Sequence, residues 1–208
     1  CPNVGNVGNA LEAIRTTTAT GLVDFMLLFH LYAVDGPRTE AWFDCSNPDN
    51  VRDLIARCRL AAQSGVRHIM ICADDWTPRE NGRYVCPNPK EREFFGNSVG
   101  KAHGTLMKQL YEVLHPEFPE LELSFVGPVY STVMHRADLP ENQAYLADFD
   151  RTAPKEVYLG WTDPLVIGEA ISRRDYEVFT APLTSGRKLV LWDNSECMNQ
   201  PLPVWQSS

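Results

Sequence analysis

Apolar and polar positions fall in blocks along this chain, and the blocks switch between two periods. Leu22 to Leu31 is an apolar run bounded by Gly21 and the turn signal Asp35-Gly36-Pro37, which predicts a buried strand. Asn50 to Gln63 has the helical period instead. Leu54, Ile55, Cys58, Ala61 and Ala62 make its apolar face, with Asp49 placed to cap it and Gly65 to end it. Val66 to Ala73 predicts a second strand, and a polar loop rich in Pro, Asn, Arg and Glu runs on from Trp76 to about Phe95. Ser98 to Leu114 is the next helix, with Val99, Ala102, Leu106, Leu110, Val113 and Leu114 on one side; Gly100 and Gly104 are its weak points. Leu121 to Val126, Val157 to Trp161 and Lys188 to Trp192 are further strands. Ser172 to Phe179 is a further helical stretch, Asn9 to Arg15 a helix ahead of the first strand, and Pro201 to Ser208 has no periodicity.

Repeated strand–helix units with continuous apolar strands imply a parallel sheet covered by helices. A doubly wound sheet and a (β/α) barrel compete. Both gather chemistry at the carboxyl ends of strands, and the polar and aromatic residues do collect there: Asp74-Asp75-Trp76, Tyr130, Trp161-Thr162-Asp163 and Trp192-Asp193-Asn194. No G-x-G-x-x-G or Walker sequence is present, and Gly5 and Gly8 do not follow a strand, which disfavours a nucleotide cradle. The expected fold class is therefore α/β of the (β/α)8 TIM-barrel type. Five strand–helix units are visible where a closed barrel uses eight strands in about 250 residues, so residues 1–208 are expected to form a single, partial barrel domain.

Composition changes this picture only by exclusion. With 44% hydrophobic and 22% charged residues the chain is ordinary globular protein. A net charge of −8 argues against nucleic acid and against an anionic membrane surface as partners. The most apolar run, Leu22 to Val34, is too short to span a bilayer and contains Asp24 and His30. No signal peptide is visible at the start, CPNVGNVGNA, and localisation is left open. The six cysteines are scattered without a C-x-x-C pair, so mostly free thiols and no zinc ribbon are expected.

The candidate chemistry sits in Ile69 to Pro78, IMICADDWTP. Neighbouring residues of a strand point to opposite faces, so two adjacent acids reach one site only where the strand ends and the backbone turns. Carboxylates after four apolar residues are costly to desolvate unless they are paired, hydrogen-bonded or functional. A capping role and a divalent-metal site are the alternatives, but no His or Glu ligands flank the pair. Tryptophan at a strand end suits stacking on a sugar ring, and Asn or Asp suits its hydroxyls; taken singly, each also reads as core or cap.

In order, ADDW, AHGTLMKQLYEVL, GPVY, GWTDPLV and LVLWDN resemble the catalytic domain of glycoside hydrolase family 84, the β-N-acetylglucosaminidases that include O-GlcNAc hydrolases and hyaluronidase-like enzymes. The likeness runs from about Asp24 to Asn194. It implies a (β/α)8 barrel and retaining hydrolysis assisted by the substrate's own 2-acetamido group, through an oxazoline and without a cofactor or metal. By position, Asp74 would orient and polarise the acetamido group and Asp75 would be the general acid and base. Tyr130 would hydrogen-bond the acetamido oxygen, Trp161 and Thr162 would line its pocket, and Asn194 would bind the sugar. Asn199 stands where the family has a sugar-binding aspartate, Trp76 where it has an aliphatic residue, and Pro128 to Tyr130 spans two residues where the family has three. The family's first two strands, with a sugar-binding lysine, and its last strand have no counterpart.

The resemblance implies an enzyme acting on N-acetylglucosamine-containing glycosides or glycoproteins, with the remainder of the barrel in a longer chain or another subunit. A non-catalytic carbohydrate-binding or structural module and an acid/base barrel enzyme for unrelated small molecules are the competing readings.

Overall fold

The computed structural model describes residues 7–22, 24–31, 43–75, 77–162, 164–166, 170–192 and 194. Helix α1 (Val7–Thr18) precedes strand β1 (Met26–His30) and helix α2 (Pro48–Gln63). Strand β2 (His68–Cys72), a hairpin of β3 (Arg79–Glu80) and β4 (Arg83–Tyr84), and helices α3 (Pro89–Phe95) and α4 (Val99–Leu114) follow. The chain continues through β5 (Glu122–Val126), α5 (Pro140–Thr152), β6 (Tyr158–Trp161), α6 (Arg173–Thr180) and β7 (Leu189–Leu191).

Five strands form one parallel sheet in the order β1-β2-β5-β6-β7. The spatial order is the chain order and never reverses. A doubly wound sheet must reverse at its switch point, so this winding is that of a (β/α) barrel. Strand alternation then sorts the side chains. Ile69, Ile71, Leu123, Phe125 and Leu159 join the large core with Leu54, Cys58, Leu106, Leu110 and Phe149 of the helices. Met70, Cys72 and Val126 point the other way and form a small second cluster with Tyr130, flanked by Leu28, Val190 and Trp192.

Helices α2, α4 and α5 make the covering layer. Gly100 and Gly104, weak points by propensity, sit where α5 crosses α4. A Cβ at Gly100 would lie 2.4 Å from the Tyr145 carbonyl oxygen, and one at Gly104 would lie 2.8 Å from Thr152 Cβ. Close packing between the helices outweighs the propensity loss.

The capping residue of α2 is corrected by two positions. Asn47 rather than Asp49 is the N-cap: its Oδ1 accepts the Asp49 N–H at 2.9 Å, and Pro48 takes the first helical place. Ser98 and Ser172 cap α4 and α6 through their hydroxyl oxygens. Of the loop expected from Trp76 to about Phe95, residues 77–95 hold a hairpin and a helix. Asn81 and Gly82, with φ of 50° and 79°, make the tight turn between β3 and β4. Helix α3 follows and ends at Gly96, φ 61°. Helix α5 was not expected, because buried Asn142 and Asp150 interrupt its apolar face of Tyr145, Leu146 and Phe149.

Asp150 and Arg187 tie the last units together with fully buried side chains. The Arg187 Nε donates to Asp150 Oδ1 at 3.0 Å, and its other nitrogens donate to the carbonyls of Asp150, Ala153, Pro154 and Val157. Cys45, Cys58, Cys72 and Cys86 are buried free thiols, while Cys1 and Cys197 lie outside the described residues.

Candidate active site

Strand β2 reaches the carboxyl edge of the sheet at Cys72, and the ladder continues one residue further as Ala73 N–H donates to the Val126 carbonyl at 2.8 Å. Asp74 keeps the alternation of Met70 and Cys72 and so falls on the inner face, opposite the helices. The backbone then turns. The Thr77 N–H donates to the Asp74 carbonyl at 3.4 Å, and the Thr77 hydroxyl donates to the Ala73 carbonyl. This turn sends Asp75 a different way from its neighbour.

The two carboxylates have different surroundings. Asp74 is partly buried, and burial, followed by the adjacent Asp75 charge, pushes its pKa above the usual carboxylate range. His30, on the neighbouring strand, works against that rise: its Nδ1 lies 3.7 Å from Asp74 Oδ1. Asp75 is exposed, and its Oδ1 accepts a 2.5 Å hydrogen bond from the Tyr130 hydroxyl. Burial and then the Asp75 carboxylate drive the Tyr130 phenol pKa far upward, so the phenol remains the donor.

Tyr130 is held from three sides. Its carbonyl accepts from the Thr162 N–H at 2.8 Å and the Thr162 hydroxyl at 3.2 Å. Its ring lies 4.1 Å, centroid to centroid, from the His135 imidazole, whose Nδ1 is 2.8 Å from the Ser131 hydroxyl. Its other face joins Met70, Cys72 and Val126. Two residues earlier, the Pro128 carbonyl accepts the Tyr84 hydroxyl at 2.7 Å, which fastens the β3–β4 hairpin beside the site.

Of the residues singled out from sequence, Asp74, Asp75, Tyr130 and Thr162 come together. The Tyr130 hydroxyl is on Asp75, and Thr162 spends its hydroxyl on the Tyr130 backbone. Trp161 lies on the helix side of the sheet. Its ring packs on Phe179 and Tyr176, and its indole N–H donates to Thr132 Oγ1 at 3.1 Å. The structure therefore does not bring Trp161 to the face that carries Asp74. Asn194 donates to the Val166 carbonyl at 3.1 Å. Asn199, Trp76, Asp163 and Asp193 lie outside the described residues.

Sequence reasoning missed His30, His135, Ser131 and Tyr84. His30 carried a readable signal: it ends the strand beside β2 in the same register as Cys72, one step from the acid pair. Among the described residues no group of three or more His, Cys, Asp or Glu is arranged to hold a metal ion. A cleft of about 460 Å³ opens on the outer surface between α2 and α4, lined by Val51, Ile55 and Val113, and holds neither acid of the pair nor Tyr130 or His30.

The family model described as beta-N-acetylglucosaminidase matches residues 19–200. A mutant of the Thermobaculum terrenum O-GlcNAc hydrolase has a similar fold, with a TM-score of 0.70 at 17% sequence identity. That likeness covers 90% of this chain and 36% of the other, so the chain spans about a third of that structure's length. No curated protein matches.

Proposed function

The chain belongs to the β-N-acetylglucosaminidase family of glycoside hydrolases, and from that premise we propose that it forms the acid-bearing part of a barrel that cleaves terminal N-acetylglucosamine glycosides with retention. The observation that carries this reading is the unequal setting of two adjacent carboxylates. Asp74 is on the inner face beside His30, and Asp75 is exposed in the grip of Tyr130.

In this reading the sugar lies against the inner face with its 2-acetamido group toward Asp74. The acetamido oxygen attacks the anomeric carbon as the glycosidic bond breaks, and the product is an oxazolinium ion. Asp74 accepts the acetamido N–H and, as an anion, offsets the positive charge that develops there. That developing charge favours the ionised form of Asp74, against the burial that disfavours it. Asp75 transfers its proton to the leaving oxygen, and the free aglycone departs. The same carboxylate then takes a proton from water, which opens the oxazoline at the anomeric carbon and restores the starting configuration. Two inversions at one carbon give retention. Tyr130 is assigned to Asp75 here, because its hydroxyl is already committed to that carboxylate.

Hydrolysis of 4-nitrophenyl β-N-acetylglucosaminide, with the anomer of the first product followed by NMR, tests this reading. Asp75→Asn is expected to slow hydrolysis by at least about a hundredfold; full rate in that variant refutes the assignment of Asp75.

A second reading, sugar binding without turnover, is favoured by the sheet having unpaired edges at β1 and β7 among the described residues. Calorimetry with an oxazoline-mimicking thiazoline separates the two: binding without any turnover supports the second.

A further inference from the structure

The β3–β4 hairpin places beside the site a cation that the reaction above does not use. Arg79 opens this hairpin and is exposed. Its guanidinium lies over the Tyr84 ring, 4.2 Å from the centroid, and donates to the Tyr84 hydroxyl. Its neighbour Glu80 is turned to Arg92 at 2.7 Å. Among the described residues Arg79 enters no ion pair.

From Tyr84 to the acid is a short path. The Tyr84 hydroxyl donates to the Pro128 carbonyl at 2.7 Å, and Tyr130, two residues on, donates to Asp75 at 2.5 Å. His135, whose ring lies tilted against Tyr130, has its pKa lowered first by burial and then by Arg79, so the field of the guanidinium reaches this cluster. The group that protonates the leaving oxygen must touch it, so residues gathered around Asp75 flank the aglycone rather than the sugar. A guanidinium with unused donors, held over an aromatic ring, presents a planar fork suited to a carboxylate.

We propose that Arg79 is a specificity-determining residue that selects glycosides whose aglycone carries a carboxylate close to the scissile bond. This rests on the reading that Asp75 protonates the leaving oxygen.

Two matched substrates test it: the 3-carboxyphenyl and the 3-carbamoylphenyl β-N-acetylglucosaminides, nearly the same in shape and different in charge. kcat/KM is measured for both with the protein, with Arg79→Gln and with Arg79→Lys. Arg79→Gln is expected to lower the carboxylate-to-amide ratio about five- to tenfold, as for a partly exposed charge-assisted pair. Arg79→Lys is expected to keep part of the ratio, and raising salt from about 0.05 to 0.5 M is expected to erode it in the unaltered protein. An equal fall on both substrates overturns the proposal and leaves Arg79 as a brace for the hairpin, with the assignment of Asp75 intact. Hydrolysis of neither substrate by the unaltered protein overturns that assignment and the proposal with it.

Discussion

Replacing Tyr130 by Phe removes one hydroxyl and leaves the ring. The lost contact is the 2.5 Å O–H···O bond to Asp75 Oδ1. A hydrogen bond to an ionised acceptor is worth about 1.5–3 kcal/mol, and because Asp75 is exposed the lower end applies. About 1.4 kcal/mol is a factor of ten in rate. The ring keeps its contacts with His135, Met70, Cys72 and Val126, so the unfolding free energy is expected to fall by no more than the bond itself contributes, about 1.5 kcal/mol. The assay is kcat/KM for a series of aryl β-N-acetylglucosaminides of rising leaving-group acidity, from phenyl through 4-nitrophenyl to 2,4-dinitrophenyl. If Tyr130 orients the acid, the loss should follow the need for a proton: about tenfold on phenyl and under about threefold on 2,4-dinitrophenyl, which leaves without help. If Tyr130 instead serves the acetamido oxygen, the loss is uniform along the series. A uniform loss, or none, refutes the reasoning that ties Tyr130 to Asp75.

Arg187→Met strands the Asp150 carboxylate inside the protein, and loss of one partner of a buried pair is expected to cost about 3–5 kcal/mol in a urea titration. Burial alone would raise the Asp150 pKa, but hydrogen bonds from Ser185, Arg187 and Thr184 outweigh it and hold it below the usual range. That stabilisation is therefore present at neutral pH and is lost as pH falls through the depressed value; in Arg187→Met the loss should begin at higher pH. His30→Gln removes the imidazole that works against the raised pKa of Asp74. With Asp74 acting as an anion, as proposed, activity falls as pH drops through its pKa, and the acid limb of kcat/KM should move to higher pH in the variant. An unmoved limb means that His30 does not act on Asp74.

The strands were legible because buried parallel strands read as apolar runs, as β2 and β6 do, with β5 interrupted inside only by Ser124. Helix α5 was not, because its inner face carries Asn142 and Asp150, polar groups satisfied by partners that sequence does not display: the carbonyls of His135 and Arg136, and the Arg187 fork. The β3–β4 hairpin had its signal in Asn81-Gly82, masked by the polar residues around it. The acid pair was legible as two residues, but not its division of surroundings, which depends on His30 in one neighbouring strand and Tyr130 beyond another. Trp161 shows the limit of reading strand ends by residue type. Its position in β6 has the parity of Leu159, which faces the helices, so the indole belongs with Phe179.

Adjacency is what lets these two carboxylates differ. Had they been spaced by one residue on a strand, both would share the inner face, both would be desolvated, and each charge would raise the other's pKa. Placed side by side at the last residue of the ladder, only Asp74 inherits the strand's alternation and its burial next to the Met70, Cys72 and Val126 cluster. Asp75 falls on the turn that Thr77 closes, leaves the sheet, and stays exposed with one phenol to orient it. A residue that only steadies a bound acetamido group benefits from a fixed, water-poor setting. A residue that gives a proton to a departing group and takes one back from water must be reached by both, and exposure at the turn provides that access. The order of roles proposed for Asp74 and Asp75 thus follows from where the strand stops. Moving the stop by one residue, for instance by an insertion of alanine between Ala73 and Asp74, should put Asp74 on the turn, carry Asp75 past it and leave the inner face without a carboxylate, abolishing hydrolysis while leaving the sheet, whose ladder ends at Ala73, intact.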